Sequence, residues 1–168
     1  MSRECTLRGN PLPLEGAALN VGDAAPDATL KKDLVQDCKL SDGGGKARIY
    51  SVVPSLDTPV CAEQTKRFNE EAAGLSNIDF YTISTDLPPA QARFCGAEGI
   101  DADRITVLSD HKDTEFGAAY GTLIPSLRVH SRAVFVVGAD DTLKYVEYVK
   151  EVADHPNYDA ILECARSL

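Results

Sequence analysis

The stretch "PSLDTPVCAEQ", residues 54–64, sets a cysteine behind a threonine and a proline, between a β-rich run and a helix-like run. With Thr58 as N-cap, Pro59 takes the first helical position, where its fixed φ fits and its missing N–H is no loss. Cys61 is then the third helical residue, the place an acidic side chain holds in a capping box. An anion there gains from the helix dipole and from unpaired N–H groups, and a thiolate is such an anion. Keeping a thiol ionised near neutrality takes roughly 2 kcal/mol over a free one. The dipole supplies about 0.3–1 kcal/mol, so a second positive group is required. Lys66 and Arg67 lie more than one turn along the same helix and are expected to face solvent, so that charge must come from elsewhere in the fold. The residues alone leave a competing reading open, in which Cys61 is a small core residue on an apolar stripe. A phosphatase-like C-x5-R pairing with Arg67 is disfavoured, because "AEQTK" has no glycine to let a loop wrap a phosphate.

The whole chain narrows the chemistry further. Its 168 residues, 43% apolar and 26% charged, suit one domain, residues 1–168, with a real core. A net charge of −9 argues against nucleic acid as a partner. No apolar run approaches the roughly 20 residues needed to cross a bilayer, so no membrane association is expected. The N-terminus lacks a signal-peptide stretch, which favours the cytoplasm. Five cysteines occur without a C-x-x-C, and His111, His130 and His155 are scattered. No metal site, no cofactor and no structural disulfide framework are therefore expected.

The elements that must position Cys61 read as alternating strands and helices. "CTLRGNPLPLEG" reads as a hairpin over about residues 4–16, turning at Gly9-Asn10-Pro11, ahead of a core over about 19–168. "DATLKKDLVQDCKLSD" reads as two strands around Lys31–Asp33, with Leu34, Gln36, Cys38 and Leu40 on one face. "GGGK" has no helix after it and is not a phosphate loop. "ARIYSVV" (47–53) has little polar alternation, the mark of a strand covered on both faces. The helix over about 59–74 carries Cys61, Thr65, Phe68, Ala72 and Leu75 as one inward stripe. "IDFYTIS" (78–84) is a strand. The stretch 88–99 is a helix opening on Pro88-Pro89 and able to stop at Gly96. A strand in "RITVLSD", a short helix in "TEFGAAYG", a hairpin turning at "GADD" and a closing amphipathic helix in "NYDAILECARSL" complete the order. A β-α-β half followed by a β-β-α half predicts an α/β thioredoxin fold, with a mixed central sheet flanked by helices and the N-terminal β-hairpin as an extension.

Pro54, Thr58 and Cys61 fit the P-x-x-x-T-x-x-C signature of the peroxiredoxins. "DLPPAQARFCGAEGI" resembles the stretch bearing the second cysteine in the bacterial thiol peroxidase branch, the atypical two-cysteine peroxiredoxins. "SRAVFVV" resembles the strand bearing that family's active-site arginine, here Arg132. The resemblance runs over essentially the whole chain. It implies that Arg132 supplies the missing charge, that Thr58 aims its hydroxyl at the thiolate and the bound peroxide, and that Pro54 shields the pocket from water. It implies a thiol peroxidase in which Cys61 attacks the O–O bond of hydrogen peroxide or alkyl hydroperoxides and becomes a sulfenic acid. Cys95 then closes an intrachain Cys61–Cys95 disulfide that thioredoxin reduces. It further implies a homodimer, with Tyr120 and the "SDHKD" loop as candidates for its interface. Cys38 and Cys164 are expected to be structural, and nothing is assigned to Cys5. The reading from a different class is a non-enzymatic thioredoxin-fold redox sensor or chaperone. A variant of the enzyme reading has Cys61 act alone with an external thiol. The two thiols are expected to stand apart in the reduced protein, with the helix end at Phe94-Cys95-Gly96 unwinding to join them.

Overall fold

The computed structural model describes residues 2–168. Its centre is a seven-stranded mixed sheet, and one of its inner strands, β5 (Ala47–Val52), is buried at every residue. β5 lies between β6 (Ile78–Ser84), which runs parallel to it, and β10 (Ala133–Val137), which runs antiparallel. The full order is β11 (Leu143–Tyr148), β10, β5, β6, β7 (Ile105–Ser109), β3 (Thr29–Lys31) and β4 (Asp37–Lys39).

Alternation along these strands feeds two apolar layers. Ile49, Phe80, Val134 and Val136 face one layer with Phe68 and Ala72 of α1 (Pro59–Ala72) and Ile161, Leu162 and Ala165 of α4 (Tyr158–Arg166). Tyr50, Val52, Ile83, Ala133 and Phe135 face the other, against Phe116 and Tyr120 of α3 (Glu115–Tyr120). A sheet wetted on neither side needs strands without polar alternation, and "ARIYSV" and "AVFVV" supply them. The expected mixed sheet flanked by helices is therefore present, with α1 connecting β5 to β6 and α2 (Pro88–Glu98) connecting β6 to β7.

Several local expectations are corrected. In the N-terminal hairpin, β1 (Glu4–Leu7) pairs antiparallel with β2 (Asn10–Pro13), so the turn is Arg8-Gly9. Both turn residues have positive φ, 51° and 79°, the pattern of a type I′ turn, and Asn10 and Pro11 belong to the strand. Leu34 does not share an inward face with Cys38 and Leu40. It sits in the β3–β4 turn, where Asp33 Oδ1 accepts the N–H groups of Val35 and Gln36, and is 62% exposed. α2 does not stop at Gly96 but runs on to Glu98. It is closed by Gly99 at φ 68°, with Cys95 O accepting the Gly99 and Ile100 N–H groups. A two-stranded ladder of β8 (Leu123–Ile124) and β9 (Val129–His130) was not expected.

Candidate active site

α1 begins as its sequence requires, with Thr58 in an extended conformation at the N-cap and Pro59 first in the helix. Cys61 is therefore in the first turn, fully buried at 0% exposure, and packed with Val53 and Leu56 against Phe94 and Val107. Its sulfur accepts a hydrogen bond from Arg132 Nη2 at 3.3 Å. Arg132 is the residue immediately before β10, and because β10 is antiparallel to β5 its side chain starts beside the strand that leads into α1. It is 2% exposed, and a buried guanidinium has to be met by acceptors on every side. Nη1 donates to Gln64 Oε1 at 2.8 Å and Nε to the Val152 carbonyl at 2.9 Å. Gln64 is held in turn by donating from Nε2 to Ser51 Oγ at 2.7 Å, on β5. A guanidinium fixed at three points, by Gln64, the Val152 carbonyl and the sulfur itself, therefore lies against Cys61.

Thr58 departs from expectation. It caps by backbone, with its carbonyl accepting from Ala62 N–H at 3.0 Å, but its hydroxyl donates to the Ser55 carbonyl at 2.9 Å. The side chain is exposed and makes no capping bond, so neither a capping-box contact to Cys61 N–H nor a hydroxyl aimed at the sulfur is present. Threonine hydroxyls compete for nearby carbonyls in turns, and the Ser55–Thr58 turn wins here. Pro54 is half-buried at the start of the same loop.

That loop is anchored by Asp86, which the sequence did not reveal. Asp86 Oδ1 accepts the Ser55 hydroxyl at 2.7 Å, and Oδ2 accepts Leu56 N–H at 2.8 Å and the Ser84 hydroxyl at 2.7 Å. Ser109 Oγ donates to the Asp86 carbonyl at 2.5 Å. Gln91 of α2 donates from Nε2 to Ser84 Oγ and to the Leu108 carbonyl. The segment before Cys61 and the first half of α2 thus share one anchorage at the ends of β6 and β7. A cleft of about 550 Å³ opens between them, lined by Leu56, Asp57, Asp86, Arg93 and Phe94.

Cys95 stands in the last turn of α2, half-buried, and all five cysteines are free. Burial pushes its thiol up from the ordinary range. It lines a second cavity of about 390 Å³ with Pro88, Gln91, Ile100, Ile105 and Val107, while its neighbour Phe94 packs on Cys61. Lys66 and Arg67 are exposed and paired with Glu98 and Glu71, as solvent-facing residues. Burial also pushes up the thiols of Cys5, Cys38 and Cys164. Cys38 packs beside the Tyr50 layer, and Cys164 donates to the Lys144 carbonyl at 3.7 Å. Tyr120 is not available to an interface. It is fully buried, stacks on Phe116 at 4.1 Å and donates its hydroxyl to the Pro26 carbonyl. Among the described residues, no group of three His, Cys, Asp or Glu side chains could hold a metal ion, and no helix is long and apolar enough to cross a membrane.

Comparison with known proteins adds three findings. The Redoxin family model matches residues 20–162, a span that begins after the hairpin. Over 157 residues the chain is 52% identical to the thiol peroxidase of Oceanobacillus iheyensis, covering 94% of each. Over 165 residues it is 49% identical to the thiol peroxidase of Bacillus subtilis, covering 98% of each. Among solved structures, a peroxiredoxin-like protein from Aquifex aeolicus superposes with a TM-score of 0.91 at 38% identity, covering 99% of this chain and 98% of that one.

Proposed function

This chain belongs to the Redoxin family and, within it, to the thiol peroxidases, and from that premise we propose that Cys61 is the nucleophile of a peroxidase cycle and Cys95 the thiol that completes it. The observation that carries the proposal is the 3.3 Å contact of Arg132 Nη2 with Cys61 Sγ in the first turn of α1. The Cys61 thiolate attacks one peroxide oxygen, the O–O bond breaks, and the departing alkoxide or hydroxide takes a proton to leave as alcohol or water. Sulfur is oxidised to sulfenic acid and the peroxide is reduced. Arg132 favours the anion before attack, and its N–H groups face the charge that shifts onto oxygen during it.

Cys95 then attacks the sulfenic sulfur. An S–S bond forms, and the sulfenic oxygen leaves as water with the proton of the Cys95 thiol. A dithiol reductant of the thioredoxin type returns both cysteines to thiols and is itself oxidised to a disulfide. Bridging requires backbone motion, because Cys61 is held inside the core and Cys95 faces another cavity. The end of α2 supplies it by local unwinding around Phe94-Cys95-Gly96. Thioredoxin as the particular reductant, hydrogen peroxide and alkyl hydroperoxides as substrates, Thr58 and Pro54 as pocket residues, a homodimeric assembly and residence in the cytoplasm belong to the same proposal and rest on the family resemblance.

The test is a peroxide-consumption assay with thioredoxin, its reductase and NADPH on the wild type, Cys61→Ser and Cys95→Ser. Continuous consumption by the wild type and none by Cys61→Ser is the expected result. A redox sensor would instead oxidise once and stop.

A further inference from the structure

Arg132 is fixed by three contacts, and only two of them come from α1. Gln64 and the Cys61 sulfur hold the outer edge of the guanidinium, and the third contact, Nε on the Val152 carbonyl at 2.9 Å, sets its rotation. Val152 lies past the end of β11, outside the seven-stranded sheet. What holds it is the N-terminal hairpin. Val152 N–H donates to the Thr6 carbonyl at 2.8 Å, and Thr6 N–H donates to the Lys150 carbonyl at 2.7 Å, a parallel bridge of Thr6 with Glu151. The Val152 side chain is buried with Cys5 and Ile124, against Leu7, Leu12 and Leu14 of the hairpin.

Glu151 closes this joint. Its Oε2 accepts the Thr6 hydroxyl at 2.8 Å and Gly9 N–H at 3.1 Å, and its Oε1 accepts Arg8 N–H at 3.0 Å and Ala153 N–H at 3.2 Å. The left-handed conformations of Arg8 and Gly9 turn two successive N–H groups onto this one carboxylate. Those bonds, Gly9 N–H foremost, hold its carboxyl well below the usual range, at about 2.

We propose that the hairpin is part of the catalytic apparatus: Glu151, gripped by Thr6 and the Arg8-Gly9 turn, is a positioning residue that holds the Val152 carbonyl where it orients Arg132 on the Cys61 sulfur. This rests on the reading of Arg132 as the charge that serves Cys61. A guanidinium that loses its rotational stop still touches Gln64, but no longer presents Nη2 squarely to sulfur. Such a loss of aim is the kind of small misplacement that costs rate rather than fold. A hairpin that merely seals the Cys5, Ile124 and Val152 cluster would act on stability alone.

The test is a double-mutant cycle read on the pH–rate profile for alkylation of Cys61, followed by mass spectrometry of the Cys61 peptide in the full-length protein. Glu151→Gln keeps the shape and removes the charge. Thr6→Val removes one donor, keeps the strand bonds and serves where Glu151→Gln folds poorly. Each is expected to slow Cys61 alkylation at neutral pH, by about tenfold for Glu151→Gln, and to displace the profile to higher pH. In an Arg132→Lys background the same change should add nothing, because its effect passes through Arg132. Ile161→Val, a core truncation outside the cluster of Cys5, Ile124 and Val152, should lower Tm and leave the profile in place. A Glu151→Gln profile that stays put while Tm falls, or an effect that adds in full to Arg132→Lys, overturns the proposal. An Arg132→Lys profile identical to wild type overturns it together with the reading of Arg132, and so separates the two failures.

Discussion

Cys61 and Cys95 sit on the two helices that connect successive parallel strands, and their surroundings are opposite in almost every respect. Cys61 opens its helix, has no exposure, and is bonded to a buried guanidinium that Gln64, Ser51 and Val152 hold in place. Cys95 closes its helix, where the dipole disfavours an anion, and burial pushes its thiol up. α1 buries Gln64, Thr65, Phe68 and Ala72 along its length, whereas α2 buries only Pro88 and Gln91, both near its start. The difference matches the two jobs proposed for them. The attacking thiol is fixed beside a guanidinium, and the resolving thiol keeps its proton while buried and gives it up as it reaches the sulfenic sulfur. The anchorage at Asp86, Ser84 and Gln91 grips the first half of α2 and makes no bond to the half that carries Cys95.

The largest expected effect separates the two cysteines outright. Cys61→Ser should reduce peroxide consumption to background. Cys95→Ser should lose thioredoxin-coupled turnover yet still consume one equivalent of peroxide, measured by titration of residual peroxide. Loss of that first equivalent in Cys95→Ser would erase the division of labour.

Next comes the charge. Arg132→Ala should slow the reaction of Cys61 with peroxide by about 10²–10³-fold, the usual effect of removing one preorganised donor from a reacting anion. Stopped-flow measurement of the first oxidation reads it, and far-UV circular dichroism should show the fold retained. A rate within a factor of about three of wild type would mean the guanidinium is structural.

A smaller effect probes mobility. Gly99 has φ 68°, so Gly99→Ala strains the cap of α2 and should destabilise the protein by about 1 kcal/mol. Attack at Cys61 should be unchanged and disulfide closure no slower, because the strain favours the opened helix end. Closure that slows in proportion to the lost stability would show that Cys95 resolves from an intact helix.

The smallest effect is a pH dependence. Because burial raises the folded-state pKa of Cys95, its contribution to stability is fully present below the free-thiol value of 9.0 and is lost as pH rises past it. The Tm of wild type relative to Cys95→Ser should therefore fall above pH 9.0. A gap that widens with rising pH would contradict a thiol held neutral by burial.

How much of this was legible follows from how local each device is. The Thr58, Pro59 and Cys61 register was readable because capping is decided by adjacent residues, and the need for another charge followed from magnitudes. The location of that charge was not readable from spacing. Arg132 is 71 residues from Cys61 and meets it only because β10 lies antiparallel beside β5; the family resemblance located it. Gln64 carried a faint signal, three residues on from Cys61 and so on the same helical face. Asp86 and the Val152 carbonyl carried none, since one grips a loop 30 residues away in sequence and the other is itself backbone. Spacing does not show where the Thr58 hydroxyl points, because the turn at Ser55 offers it a carbonyl at 2.9 Å. The end of α2 was misplaced because Gly96 and Gly99 look alike in sequence, while only Gly99 takes the left-handed conformation that closes the helix.

In the proposed cycle, the attacking thiol and the travelling thiol of one chain meet after oxidation. Intact-mass and peptide mass spectrometry, under non-reducing conditions after one equivalent of peroxide, test it most directly. The expected product is a monomer lighter by two hydrogens, with the Cys61 and Cys95 peptides joined and Cys5, Cys38 and Cys164 still open to alkylation. A covalent dimer as the main product, or a persistent sulfenic acid on Cys61 beside a Cys95 that still alkylates, would contradict it.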